Sequence, residues 1–574
     1  MHETTSLLYG NRHSGFRKYP WSTWIVAGLA CIASLGIIAM AFISFEDTAD
    51  VSEVGKFIHI TDLHIDPNYR EGSTTYSQCH RLPPLRAAKD GDGHRSTGRF
   101  GIPRAKCDSS LALINATRDY LRREWADKVD FVLWTGDSGR HDGDAEIPRT
   151  FDEIIEQNRI ASKAMHRAFP PNVPIVPNIG NNDVSPHNDL PAPGHKRARR
   201  TFRELAAAWK QLVPEDQLST FLYGGYFAKD VIKPGDGSRG LTVLSLNTMY
   251  WYRANAKVGG CKAEDSPGLA QIAWIRYQIR RARERNHDLT LIGHVSPNLD
   301  NYRPSCYEGY ARTVTQLVPP PSLAETARNS SSSSSSSASE ALPLIHAQLY
   351  GHSNVDLWSF VGQDLSMLEQ RGDEEGGRLW WERQVDEETG RFGRLIREVW
   401  DVSGIPDQTN SEEPPLFSGL NESLWEEMAD DASFAESKSL PSDFVDGLLK
   451  EFERVLMLKE RHPRLGVATI SPSIIPKYMP AFRVFSYARS STGGRRRLPS
   501  GTLLDYDVYW ADIAKHNKLA PKRGEFFQLL YRFSTEYKLP DLSPESYLKW
   551  ARKLVQSKNL RKRFRALAYL EPAR

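Results

Sequence analysis

The stretch Phe57-Ile58-His59-Ile60-Thr61-Asp62-Leu63-His64-Ile65-Asp66-Pro67 carries an apolar run straight into an Asp-x-His pair. Residues 57–60 are aromatic and β-branched, as in a buried strand, and polarity changes where the ligand-type side chains begin. The pattern recurs along the chain. Residues 129–134 end in Gly136-Asp137, and residues 174–177 lead to Gly180-Asn181-Asn182-Asp183. Residues 290–292 lead to Gly293-His294, and residues 344–350 to Gly351-His352-Ser353-Asn354. Between these runs, segments 110–126, 151–168, 200–212 and 268–286 place apolar residues at helical spacing. Strand and helix alternate, which predicts an α/β fold. In such folds ligands collect beyond the carboxyl ends of strands, so the distant motifs are expected to converge there. Asp and Asn oxygens suit hard divalent cations and imidazole suits borderline ones. Asp62, His64, Asp137, Asn181, His294, His352 and Asn354 are therefore the candidate metal ligands.

In order and approximate spacing, Asp-x-His, Gly-Asp, Gly-Asn-x-Asp, Gly-His and Gly-His-x-Asn resemble the signature of the calcineurin-like metallophosphoesterase superfamily. The flanks narrow the likeness. Phe57 to Pro67, Asp130-Phe131-Val132-Leu133-Trp134-Thr135-Gly136-Asp137 with Arg140-His141-Asp142, and Tyr350-Gly351-His352-Ser353-Asn354-Val355-Asp356 are similar to the endopolyphosphatases. Those are membrane-anchored vacuolar enzymes related to the acid sphingomyelinase group. The likeness covers residues from about 20 to about 360, then resumes in Ser471-Pro472-Ser473 through Phe482-Arg483-Val484 and in Leu503-Leu504-Asp505-Tyr506-Asp507. It implies a sandwich of two mixed β-sheets flanked by helices and a catalytic core over 55–360. It also implies two divalent metal ions, with manganese, magnesium, zinc, iron and cobalt all compatible. Carried over residue by residue, one metal takes Asp62 and His64, the other takes Asn181, His294 and His352, and Asp137 bridges them. The implied activity is hydrolysis of internal phosphoanhydride bonds in inorganic polyphosphate. The alternatives are a sphingomyelinase-like phosphodiesterase and a non-catalytic, membrane-tethered binding protein on the same fold.

Two positions depart from the wider superfamily pattern. Asn182 stands where many members have the His that protonates the leaving group, and Asn354 stands in place of a final His. Asn354 still offers a carbonyl oxygen, whereas Asn182 donates a hydrogen bond but cannot supply a proton. A phosphate leaving group needs a general acid less than an alkoxide does, so Asn182 suits anhydride better than ester cleavage. Both departures also belong to the endopolyphosphatase pattern that the chain resembles, which shifts weight away from sphingomyelinase-like phosphodiesterases. His141 is then the candidate proton donor or phosphate contact beside Asn182, with a purely supporting role as its alternative. Arg140 and the run Lys196, Arg197, Arg199 and Arg200 are candidate polyanion contacts, the run reading equally as a solvated helix start.

The 574 residues carry a net charge of only +3, which decides little about partners. Residues 21–45 hold no charged side chain and are long enough to cross a bilayer. Arg12, Arg17 and Lys18 precede the span while Glu46, Asp47 and Asp50 follow it, predicting residues 1–20 in the cytosol and the remainder in a lumen. A signal cleaved near Ala39-Met40-Ala41 is the competing reading. Glu3-Thr4-Thr5-Ser6-Leu7-Leu8 resembles an acidic dileucine sorting signal read by adaptors on the route to vacuoles. Cys31 falls in the span, leaving Cys79, Cys107, Cys261 and Cys306, whose three connectivities include the pairs Cys79–Cys107 and Cys261–Cys306 favoured by proximity. Asn115, Asn329 and Asn421 head glycosylation sequons. A serine-rich loop is expected over 325–342 and an acidic, low-complexity insertion over 365–445, a candidate site for processing proteases. Residues 450–574 are expected to complete the catalytic domain or pack on it.

Overall fold

The computed structural model describes residues 54–83, 96–235, 238–315, 344–362, 443–457, 465–489, 500–519, 521–522 and 524–571. The expected span at 21–45, the Glu3 to Leu8 signal, the serine tract, most of the acidic insertion, and Asn329 and Asn421 lie outside the described residues. Among the described residues no helix is long and apolar enough to cross a membrane.

Two six-stranded sheets organise the chain, and both are mixed. The first runs in the order β14 (Gln528–Arg532), β13 (Leu503–Trp510), β12 (Ala481–Ala488), β1 (Val54–Ile60), β4 (Phe131–Trp134) and β5 (Ile175–Pro177). The second runs β10 (Leu357–Val361), β11 (Gly466–Ile470), β9 (Ile345–Tyr350), β8 (His287–Ile292), β7 (Gly240–Ser245) and β6 (Phe227–Ile232). The short β2 (Ile65–Asp66) and β3 (Ser109–Ser110) pair beside them. Each apolar run expected from the sequence is a strand, and each helical spacing is a helix, at Leu111–Glu124, Phe151–Ala168, Lys196–Ala208 and Pro267–Glu284. This is the α/β architecture expected, and one hydrophobic cluster spans both sheets.

Register in the first sheet is set by an aromatic row. Phe57 stacks on Phe131 at 4.7 Å and on Phe485 at 5.0 Å, and these are its direct neighbours across β4 and β12. Such cross-strand pairs make a slip costly, because a one-residue shift would turn the buried face outward. The sheets are tied to each other just before the Asn181 loop. Asn178 Nδ2 donates to Ser245 Oγ at 2.9 Å and to Leu246 O at 2.7 Å, and Ser245 Oγ donates to Pro177 O at 2.7 Å.

The chain after residue 450 supplies strands to both sheets. β12 lies between β1 and β13, and the loop before it supports the first ligand motif: Ile474 N donates to Thr61 O and Ile475 N to Asp62 O. Asp356, just past the last ligand motif, pairs with Arg483 of β12, and both side chains are closed to solvent. Tyr531 O–H donates to the other oxygen of Asp356 at 2.7 Å. Removing one partner of a buried ion pair typically costs about 3–5 kcal/mol, so this contact holds the ligand loop against the C-terminal strands. Disulfides join Cys79 to Cys107 and Cys261 to Cys306, the pairs favoured by proximity.

Candidate metal centre

The ligand-type residues lie beyond the carboxyl ends of their strands: Asp62 and His64 after β1, Asp137 after β4, Asn181 after β5, His294 after β8 and His352 after β9. Their side chains meet. His64 Nε2 is 3.5 Å from Asp62 Oδ1 and 3.4 Å from Asp137 Oδ2, while His294 Nε2 is 3.1 Å from Asp137 Oδ2. Asn181 Oδ1 is 2.9 Å from both His294 Nε2 and His352 Nδ1. A metal with bonds of about 2.1 Å spaces its ligands about 3.0 Å apart at right angles and about 3.4 Å apart at the tetrahedral angle. The observed spacings, 2.9–3.5 Å, lie within about 0.1 Å of that range. Asp137 belongs to two ligand groups, one with Asp62 and His64 and the other with His294 and His352.

The donors fit divalent ions on a second count. Asp62 Oδ1 and His64 Nε2 are buried with no hydrogen-bond partner, a costly condition unless a cation answers them. Asn354 Oδ1 is likewise buried and unpartnered, while its Nδ2 donates to His352 O at 3.2 Å.

The backbone bends sharply to bring these groups in. Asp62, His64, Asp137, His352 and Asn354 all have positive φ, at 51°, 37°, 55°, 70° and 58°. Non-glycine residues rarely adopt that region, and such strain collects at functional sites. Close approach also requires glycine at two motif positions. A Cβ on Gly180 would collide with Asp137 Oδ1, and one on Gly351 would collide with Thr61 Oγ1.

Several of these side chains are oriented by hydrogen bonds from neighbouring groups. His64 Nδ1 faces Gly139 O at 2.9 Å and His294 Nδ1 faces Thr135 O at 2.8 Å, which leaves each Nε2 for the centre. Asp62 Oδ2 accepts from Thr61 O–H at 2.6 Å and from His352 N at 3.0 Å. Asn181 Nδ2 lies 2.8 Å from His187 Nε2 and donates to Asn188 Oδ1 at 3.0 Å, turning Asn181 Oδ1 inward. Asp183 ties the two central loops together. Its carboxylate accepts from the N–H groups of Asp137, Ser138, Gly139 and Gly180 and from Asn158 Nδ2 at 2.9–3.1 Å.

Three expected contacts are placed differently from, or more narrowly than, the sequence reading. Arg140 does not face a substrate: it is 1% exposed, and its guanidinium pairs with Glu153 and donates to His141 O and Ile147 O. Its role is to fold the loop after Asp137. Asn182 turns its amide onto the carboxylate instead of presenting it, with N donating to Asp137 Oδ1 at 2.7 Å and Nδ2 to Asp137 Oδ2 at 2.8 Å. His141 stacks on His64 at 4.2 Å, with Nδ1 on Asp108 Oδ1 at 2.8 Å and its side chain 45% exposed. It stands at the edge of the centre. The basic run starts the Lys196–Ala208 helix, which His195 caps. Arg200 pairs with Asp152 at 2.9 Å and lies over the Phe151 ring, whereas Lys196 and Arg199 are exposed. Asn115 is exposed on the Leu111–Glu124 helix.

Residues 55–356 match the Calcineurin-like phosphoesterase family, and the chain belongs to it. Among curated proteins it is similar to the Endopolyphosphatase of Cryptococcus neoformans, 32% identical over 75% of this chain and 58% of that one. It is similar to those of Schizosaccharomyces pombe, 31% identical over 76% of this chain and 61% of that one, and Saccharomyces cerevisiae, 29% identical over 75% and 61%. The chain thus spans less than two thirds of the length of each of these relatives.

Protons and metal compete for these ligands. Burial pulls His294 down, but Asp137 and Asp62 outweigh it and push the imidazole up to about 9; His64 is raised in the same way by Asp62 and Asp137. Both rings must lose a proton to bind an ion, so affinity rises with pH. Calorimetric titration with manganese in buffers of different ionisation enthalpy should show proton release, with tighter binding at about pH 8.5 than at about pH 6.5. Affinity that is flat or falling over that interval would contradict the ligand assignment.

Proposed function

We propose that this chain is a metal-dependent endopolyphosphatase, hydrolysing internal phosphoanhydride bonds of inorganic polyphosphate at two divalent ions that share Asp137. The observation that carries the reading is the placement of Asp137 within reach of both His64 and His294, each already oriented by a backbone carbonyl. The curated relatives named Endopolyphosphatase support the substrate. Two ions bound there would provide a water-derived nucleophile and neutralise phosphoryl charge. The chain's own residues do the positioning. Asn182 holds both oxygens of Asp137, and His141 stands at the edge, held by Asp108. Burial would raise Asp108, but His141 outweighs it and holds the carboxyl down at about 2, so Asp108 stays an acceptor.

The internal cleavage mode is supported by the curated relatives named Endopolyphosphatase. Incubated with metal, long polyphosphate should shorten to intermediate lengths on a gel before much free phosphate accumulates. Asp137→Ala, folded by circular dichroism, should leave the polymer intact because no other carboxylate among the described residues joins the two ligand groups. Early phosphate release from polymer still at full length would mean attack from the ends and would refute the internal mode. Neutralising Lys196, Arg197, Arg199 and Arg200 together should weaken long-chain binding and flatten its salt dependence, with less effect on a small chromogenic phosphoester.

We further propose a single-pass type II protein of the vacuole membrane with the catalytic domain in the lumen. The uncharged run at 21–45, the charge asymmetry around it and the two disulfides support this placement. In sealed vesicles a tag after Arg574 should resist protease until detergent is added, and its digestion without detergent would refute the topology.

A further inference from the structure

Two arginines follow Asp137 closely, and their surroundings differ. Arg140 is paired with Glu153, as described above. Arg149 is 8% exposed, and its guanidinium pairs with no carboxylate among the described residues. One nitrogen, Nη1, donates to Arg140 O at 2.6 Å, to Asn182 O at 2.8 Å and to Asn182 Oδ1 at 3.3 Å. The other two, Nε and Nη2, make no hydrogen bond among the described residues. Asp142 meets Arg149 only through the backbone, its Oδ1 accepting from Arg149 N at 2.7 Å.

A guanidinium taken this far out of water is costly until an anion completes it. Its position says which anion. Asn182, on which Nη1 rests, also binds both oxygens of Asp137, so Arg149 stands one residue from the bridging carboxylate. Gly139 lets Arg149 and Asn182 pack closely: a Cβ there would collide with Asn182 O and come within 3.4 Å of Arg149 Nη1. Burial lowers the pKa of Arg149, against the longer-range pull of Asp142, Asp137 and Asp183, yet a guanidinium keeps its charge in any protein.

We propose that Arg149 is the phosphate-recognising residue of this centre, its Nε and Nη2 receiving two oxygens of the phosphoryl group held beside Asp137 and Asn182. The fork geometry of a guanidinium matches two oxygens of a tetrahedral oxyanion, which a lysine ammonium does not reproduce. The inference rests on the phosphohydrolase reading above and names a substrate contact within it. It gives Asn182 a second duty, carrying Arg149 on one side and Asp137 on the other.

The test uses Arg149→Lys, which keeps the charge and an N–H donor near the position of Nη1, and Arg149→Gln, which keeps a polar side chain but removes the charge and ends two bonds short of Nη1. Each metal-loaded variant is titrated with inorganic phosphate by calorimetry, its metal content is measured, and KM and kcat for polyphosphate are determined. Metal content should match wild type, while phosphate affinity drops at least about tenfold in both variants, because the fork is lost even where the charge remains. KM for polyphosphate should rise in step. Phosphate affinity at the wild-type level in Arg149→Gln would overturn the inference, as would loss of affinity that merely follows loss of metal. Should both variants fail to fold, wild-type crystals soaked with metal and inorganic phosphate decide. Phosphate oxygens about 3 Å from Nε or Nη2 are expected, and phosphate at the centre beyond hydrogen-bond reach of Arg149 would overturn the assignment. Phosphate binding is scored without turnover, so failure to cleave polyphosphate would refute the proposed function and leave the Arg149 result standing.

Discussion

Asp62, Asp137 and Asp183 stand together out of water, at 0%, 2% and 0% exposure, and like charges are buried this way only when something answers them. Asp183 is answered by N–H groups from both loops that it joins. Asp137 and Asp62 keep oxygens directed at imidazoles and into the centre. The left-handed turns, the glycines that admit a carboxylate and the ties between the sheets all serve to bring these groups within a metal's reach. A fold that relaxed any of them would leave an unanswered buried charge.

The frame of the site was legible in the sequence because its signal is local. A buried strand ends, the chain turns, and a ligand-type side chain follows; each such end, from Asp62 to His352, sits at the centre. What was not legible depends on where a side chain points. Arg140 and Arg149 look alike as letters, yet Arg140 finds Glu153 on the Phe151–Ala168 helix, and the Arg149 guanidinium finds no carboxylate among the described residues. Asp183 stood in a quoted motif without a role, because its donors come from a loop 46 residues earlier in the chain. His187 and Asp108 had no pattern to mark them: His187 meets Asn181 from six residues along a loop, and Asp108 meets both the backbone N and the ring of His141 from 33 residues away.

The C-terminal strands show the same limit at the level of topology. β12 pairs with β1 across more than four hundred residues, His59 opposite Arg483, and no periodicity within either strand announces that partner. Its consequence is functional as well as structural. The turn after β11 donates two backbone hydrogen bonds to the first ligand loop, and Arg483 holds Asp356 at the end of the last. The family match ends at residue 356, yet the centre depends on residues more than a hundred positions beyond it.

The central claim is that Asp137 joins two metal positions, and anomalous diffraction at the absorption edge of the bound metal tests it directly. The account predicts two peaks about 3.5–4 Å apart, one against Asp62 and His64, the other against Asn181, His294 and His352, with Asp137 between them. A single peak, or two that do not share Asp137, would contradict it.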